Sequence, residues 1–557
     1  MSTTRRDLIR IGGAVLATSL AAACAPAAPA PQPTAAAPAG GPLPTYIAPA
    51  GGPKPDFHSA DPRITDGFNN YPANPPKSWT AQPPGAGGTL NVFVPAYYPV
   101  PNPRDSNPTW KEVEKALNST VNMTITAMAD YSTRLQVVMA GNDLPDTMHI
   151  VGTVANLISP QFVDSQCADL TPYLAGDAAK DYPNLAAIPG YAYQGAGGVF
   201  NNRLYGIPIE RYLPAFWFFR NTDIWDAELG TDYVPKNADD FKKVLQQLNR
   251  PQESRWAIGN YAGGPASGAM YGLIGFLEMF GAPNGWSLDS SGKLVRDRET
   301  DAYKAALSYM KDLFNSGLYP PDFQTAGDSR SAFIAGRFVV STEAFGNGWN
   351  DFWRRGLQQN PPRHFTIVKP FSADTSIKPQ HFITGGTVAY NLVKKGSADR
   401  VKEILRIMNY LAAPFGTQED MLLTYGIRDQ DYSVDQSGNP SPTQSGLMNA
   451  SYVPWQYIAH RPYVWYQADL PGYAQAAFDV EQILVGIGVP NPTTGYHSAT
   501  QSKNGIAAEQ AFYDGVADIL FNRRPFTDYD TLVSDWRTSV GDTIRQEYLA
   551  QIQKKSA

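Results

Sequence analysis

From residue 89 onward, the order of apolar and polar positions predicts alternating strands and helices. The run Thr89-Leu90-Asn91-Val92-Phe93-Val94 reads as a first strand. Asn107 and Pro108 stand where a capping residue and a first-turn proline belong, and Trp110, Val113 and Leu117 share one face of the helix they open. Val121, Met123 and Ile125 alternate with Asn122, Thr124 and Thr126, a period of two that predicts a strand with one exposed face. A helix over 132–140, stopped by Gly141, and a strand over 146–151 complete the segment. Strand, helix, strand, helix, strand implies an α/β fold, with a parallel sheet flanked by helices. Farther on, apolar spacing predicts helices over 299–316, 398–412, 504–521 and 532–552. No internal repeat interrupts this order.

The pattern fails before residue 89. Residues 25–56 are nearly all Ala, Pro and Gly, which cannot bury apolar surface and favour extended, semi-rigid chain. Pro and Gly persist to Gly88, so 24–88 is expected to be a tether, with an ordered strap just before residue 89 left open as an alternative. Ahead of it, Arg5, Arg6 and Arg10 precede a short apolar run and the small residues Ala21, Ala22 and Ala23, the layout of a signal peptide over 1–23. That run is too short to span a bilayer. Thr4-Arg5-Arg6-Asp7-Leu8 resembles a twin-arginine export motif. Cys24 stands where the leader ends and resembles the acylated cysteine of a bacterial lipoprotein, with Leu20 one place early for the usual box. Cys167 is the only other cysteine, so a disulfide framework is not expected.

Composition narrows the functional classes. With 557 residues, a net charge of −6 and 17% charged residues, the composition argues against a nucleic-acid partner, which requires a clustered basic surface. No G-x-S-x-G elbow, H-E-x-x-H or Walker-type loop occurs, and the six histidines show no metal-ligand spacing. No cofactor or metal is therefore expected. A glycosidase-type carboxylate pair is defined by spatial separation and stays open as an alternative. The stretches at 289–292 and 435–438 do not fit a calcium loop and read as turns.

Several phrases occur in a familiar order: Val94-Pro95-Ala96-Tyr97-Tyr98, then Asn107-Pro108 with Trp110-Lys111-Glu112-Val113, then Asp130-Tyr131 before a helix ending in Ala140-Gly141-Asn142-Asp143-Leu144-Pro145-Asp146. Leu204-Tyr205-Gly206-Ile207-Pro208, residues 309–322, residues 332–337, Tyr425-Gly426-Ile427 and residues 432–440 continue it. In this order the chain resembles the extracellular solute-binding lipoproteins of bacterial carbohydrate ABC importers over most of 89–440. The resemblance implies a two-lobed periplasmic-binding-protein-like fold with mixed sheets, a ligand cleft between lobes and closure by hinge bending. By analogy, lobe 1 comprises 89–207 plus 366–425, and lobe 2 comprises 208–365 plus 426–557. The stretch 248–256 lacks the calcium ligands found in larger relatives, so no metal is carried over.

Ligands of open α/β sheets sit beyond the carboxyl ends of strands, which directs attention to the loops there. Tyr97 and Tyr98 follow the first strand, Asp130 and Tyr131 the second, and Glu343, Phe345, Asn347 and Trp349 follow the run 338–342. Rings cover the C–H faces of a sugar, while carboxylates and amides bond its hydroxyls. Each residue also has a structural reading: Asp130 as a helix cap, Tyr131 as a helix start, Trp349 as core. Arg211 and Tyr212, after the expected crossover, either face the cleft or brace the hinge. Of the aromatic stretch 455–466, read mainly as packing, Trp455 is the one candidate. The expected protein captures a carbohydrate, an oligosaccharide above all, without altering it and delivers it to ABC permease subunits, anchored by lipid on Cys24 to the outer face of the cytoplasmic membrane. An anchored carbohydrate-active hydrolase and a surface adhesion protein are the alternatives.

Overall fold

The computed structural model describes residues 41–556 except 142, 196, 232, 261–266 and 324–327. The leader, Cys24 and the start of the tether lie outside the described residues.

The first sheet is built as the periodicity predicts and then extended by distant chain. Strands β1 (Thr89–Ala96), β2 (Thr120–Ala127) and β3 (Thr147–Val151) are parallel, with β1 central and Thr89 opposite Thr120. Helix α1 (Pro108–Leu117) joins β1 to β2, its Asn107 cap accepting the Trp110 N–H. Trp110, Val113 and Leu117 are buried, each stabilising the fold by roughly 1.5–3 kcal/mol. Helix α2 (Met128–Ala140) starts four residues earlier than the apolar pattern predicts. Strands β4 (Gly206–Glu210) and β9 (Thr387–Val393) complete a mixed sheet in the order β2-β1-β3-β9-β4, with β9 antiparallel to both neighbours.

The second sheet contains β5 (Phe216–Asn221), β6 (Trp256–Asn260), β7 (Phe338–Ala344) and β8 (Phe365–Ile367) in the order β8-β5-β7-β6. Its core takes in Phe218, Phe276, Tyr303, Leu307, Trp349 and the C-terminal side chains Phe512, Val516, Trp536 and Ile544. The helices Asp301–Asn315, Ala398–Leu411 and Ile506–Leu520 fall within two residues of their expected bounds. The single helix expected over 532–552 is instead Tyr529–Trp536 and Asp542–Ser556, separated by a π-helical turn over Arg537–Gly541. Gly541 lies so close beneath Trp536 that an added Cβ would sit 2.5 Å from its ring.

Among the described residues from 89 onward, the chain passes between the two lobes at three places: from Glu210 to Phe216, from Ile383 to Thr387, and between Ile458 and Trp465, which lie in different cores. Two expected boundaries therefore move. β8 pairs with β5 in the second sheet, so the return to the first lobe comes after 383 rather than at 366. Val453, Trp455, Tyr457 and Ile458 pack in the first core, so the chain beyond 425 stays with that lobe until the third passage.

The tether expected to reach residue 88 is also shorter. Residues from 41 to 88 form an ordered strap pinned by sparse anchors: Phe68 and Tyr71 are buried, and Thr65 bonds the Glu481 carboxylate through its N–H and hydroxyl. The Tyr71 hydroxyl donates to Asp420 at 2.9 Å, and Ser78 and Trp79 donate to Glu419. Among the described residues no helix is long and apolar enough to cross a membrane.

Candidate functional site

The carboxyl ends of β1, β3 and β4 lie on one edge of the first sheet, where the chain leaves for the second lobe. Tyr97 and Tyr98 emerge there, 48% and 54% exposed, which is unusual for rings of this size and marks them as available surface. Tyr97 lies 5.1 Å from Tyr457, and Tyr98 stacks on Tyr452 at 5.3 Å and 9°. Tyr457 is positioned in turn by buried His149, whose Nδ1 meets the Tyr457 carbonyl at 2.8 Å. Burial pushes the His149 pKa down to about 4, so the ring is neutral at physiological pH.

Glu210, at the end of β4, ties the first and third passages. Its buried carboxylate accepts the Tyr191 hydroxyl at 2.8 Å and the Tyr463 N–H at 2.5 Å. Burial raises its pKa, while these donors and the neighbouring arginines Arg211 and Arg461 pull it down. Arg211 follows. Its guanidinium donates to the Glu210 carbonyl at 2.8 Å and lies 5.5 Å from the centre of the Tyr463 ring, yet it makes no ion pair with a carboxylate among the described residues. A partly exposed arginine without an acidic partner, set among Tyr97, Tyr457 and Tyr463, is equipped to meet an anionic or hydroxyl-rich group. His460 adds a buried Nδ1 without a hydrogen-bond partner among the described residues, and burial with the charges of Arg461 and Arg211 holds its pKa well below the usual range.

The second lobe meets this edge through Tyr212, whose hydroxyl accepts the Asn347 N–H at 3.2 Å. Tyr212 stacks with Trp465 at 5.2 Å and meets Phe345 edge-on at 5.7 Å. Gly346 makes room for it: its φ is +74°, and an added Cβ would fall 2.2 Å from the Tyr212 ring.

The expected site residues divide accordingly. Tyr97, Tyr98 and Arg211 come together, Asn347 joins through its backbone bond to Tyr212, and Asp130 is exposed at the end of β2. Asp130 is in the first turn of α2 rather than its cap, which is Ala127. The other five are turned inward. Tyr131 is fully buried, stacked on Phe93 and donating to the His149 carbonyl at 2.5 Å. Glu343 is 2% exposed and engaged by Arg330 at 2.7 Å. Phe345 and Trp349 are fully buried, the Trp349 indole N–H donating to the Phe365 carbonyl, and Trp455 packs edge-on against Trp110. Phe345 and Trp349 belong to the second core, and Tyr131 and Trp455 to the packing of the first lobe. Tyr457 and Tyr463 belong to the aromatic stretch 455–466, which read mainly as packing, while Glu210, Tyr452 and His460 carried no signal in the sequence.

A cavity of about 320 Å³ opens on the same sheet edge, between Gly152, Asn156 and Val388 of the first lobe and Tyr496, His497 and Gln501 of the C-terminal region. The His497 ring stacks on Phe200 at 4.1 Å, carrying this C-terminal segment across to the first lobe.

The model of the bacterial extracellular solute-binding protein family matches residues 110–442. Lipoprotein LipO of Bacillus subtilis (strain 168) is 23% identical over 359 residues, covering 63% of this chain and 68% of the relative. The polygalacturonan/rhamnogalacturonan-binding protein YtcQ of the same organism is 22% identical over 453 residues, covering 79% and 86%. Among solved structures, the S. pneumoniae ABC-transporter substrate-binding protein FusA in complex with kestose superposes with a TM-score of 0.57 at 15% identity, over 84% of this chain and 100% of that one. The two-lobed architecture, the three passages and the matched span agree: the chain belongs to the bacterial extracellular solute-binding protein family.

Proposed function

We propose that this protein is the extracytoplasmic binding component of an ABC importer, capturing an oligosaccharide between its lobes and delivering it to membrane permease subunits without altering it. The observation that carries this reading is the pairing of exposed Tyr97 and Tyr98 with the carboxylate-free guanidinium of Arg211 where the lobes join. Exposed rings offer stacking faces to pyranose C–H groups, and the guanidinium offers a planar fork to hydroxyls or a uronate. Asn347 and Asp130 border the same edge and complete the proposed contacts. A binding role for YtcQ toward polygalacturonan and rhamnogalacturonan, and the kestose held by FusA, support a carbohydrate ligand. Export through the leader at 1–23, by a twin-arginine route, and anchoring by lipid on Cys24 complete the proposal, supported by the lipoprotein relative LipO.

The test is a titration of the purified protein with galacturonate oligomers, kestose and maltotriose, read by calorimetry and thermal shift, with chromatography of the sugars afterwards. Saturable binding with the sugar recovered intact is the expected result. Cleaved product would replace the reading with that of a hydrolase, and no binding to any of the three would overturn the carbohydrate assignment.

A further inference from the structure

The second lobe contains another cavity, of about 300 Å³, at some remove in sequence from the crossing segments. Most of its wall comes from residues 491–548, beyond the span that the family model matches. Trp286, Trp536, Tyr513 and Tyr548 line it with ring surface. Its charges cancel locally. The Arg296 guanidinium lies 5.4 Å from the centre of the Trp286 ring, 3.2 Å from Asp297 and 3.7 Å from Glu509. An anion entering here would meet Glu509, so the lining suits a neutral guest.

Several polar groups on the wall make no hydrogen bond to another described residue. The Trp536 indole N–H is buried and unpartnered, although the residue is only 3% exposed. The Gln501 amide and the Tyr548 hydroxyl likewise bond no neighbouring side chain or backbone group among the described residues. Buried donors are almost always satisfied, and of the indole N–H groups left open among the described residues, that of Trp536 belongs to a residue lining this ring-walled space, where a guest could accept from it. Gln501 and Tyr548 also line the cavity at the first-sheet edge, so the two spaces are neighbours.

We propose that this cavity is a binding site for one neutral sugar ring, stacked between indole and phenol faces and hydrogen-bonded by Trp536, Gln501 and Glu509. A volume near 300 Å³ is at the lower limit for small-molecule sites, the scale of one or two rings rather than a chain. The site is independent of the carbohydrate reading of the main cleft, because its wall shares neither Arg211 nor the exposed tyrosines.

The experiment uses the full secreted protein labelled with 5-fluorotryptophan and titrated separately with glucose, galactose and rhamnose, followed by fluorine NMR. Trp286→Phe and Trp536→Phe assign the two resonances. The expected result is saturable movement of both signals with at least one of the sugars, and about tenfold weaker binding in Gln501→Ala, whose side chain makes no hydrogen bond to another described residue. If Trp536→Phe does not fold, Gln501→Ala and the Trp286 signal still decide the matter. Static signals with all three sugars, or movement unchanged in Gln501→Ala, would overturn the site.

Discussion

The guanidinium carbon of Arg211 lies 5.5 Å from the centre of the Tyr463 ring, so the first and third passages between the lobes share one cation–π contact at the proposed ligand edge. Arg211 thus has two consequences, one for hinge geometry and one for specificity. A charge-assisted hydrogen bond contributes about 1.5–3 kcal/mol, whereas an exposed cation–π contact contributes about 0.5–1 kcal/mol. Arg211→Met is expected to weaken binding of galacturonate oligomers by about tenfold or more and binding of kestose by much less. Calorimetry with both sugars checks this, and equal losses for the two would show that Arg211 only braces the hinge.

Tyr97 and Tyr98 are half exposed, so their rings contribute little to the core and much to accessible surface. Tyr97→Ala and Tyr98→Ala are each expected to lower oligosaccharide affinity, by about 1 kcal/mol or more for a lost stacking face, with melting temperature nearly unchanged. Tyr131→Ala is the contrast. Its buried ring stacks on Phe93, and its removal should cost about 3–5 kcal/mol of stability. Paired thermal melts and titrations separate a ligand-facing tyrosine from a core one.

That contrast also shows what was legible in the sequence. The Asn107 cap, the Trp110, Val113 and Leu117 face and the first three strands were readable because their causes are local, within a turn or a period of two. Tyr97 and Tyr98 were readable because a strand's end points them outward. Trp349 and Trp455 were not, since an aromatic ring suits a sugar platform and a core equally, and only tertiary packing decides which. The second passage was placed too early because β8 is three residues long and owes its place to pairing with β5. The strap's anchors were hidden by composition: Ile64, Phe68 and Tyr71 are buried apolar residues in a stretch that no strand or helix organises.

The strap leads to a prediction about truncation. A chain starting at residue 41 keeps every contact that 41–88 makes and is the reference for a shorter one. Starting at residue 89 removes Thr65 from Glu481, Tyr71 from Asp420, Ser78 and Trp79 from Glu419, and the Ala86 N–H from Glu403. Several carboxylates, all but Glu403 well buried, would lose donors worth about 1–3 kcal/mol apiece, so the shorter chain should lose on the order of 10 °C in melting temperature or fail to fold. Equal melting of both truncations would show the strap to be passive.

Glu481 ties the strap to the second lobe and makes its stability depend on pH. The carboxyl accepts the Thr65 N–H and hydroxyl at 3.0 Å each and the Trp465 indole N–H at 2.7 Å. Burial raises its pKa from 4.5 to about 8, outweighing these donors, and the charge of Glu210 pushes the same way. The folded protein therefore keeps a proton that the unfolded chain gives up. Its stabilising contribution is complete below pH 4.5 and fades as pH rises through about 8, at about 1.4 kcal/mol per pH unit between the two values. Glu481→Gln retains every contact, because its carbonyl can accept from Trp465 and the Thr65 N–H while its amide donates to the Thr65 hydroxyl. The variant should match the wild type near pH 5, surpass it at pH 8 to 9 and show the flatter profile. Denaturant titrations of both proteins across that range check this, and parallel profiles would show that Glu481 is ionised in the folded state.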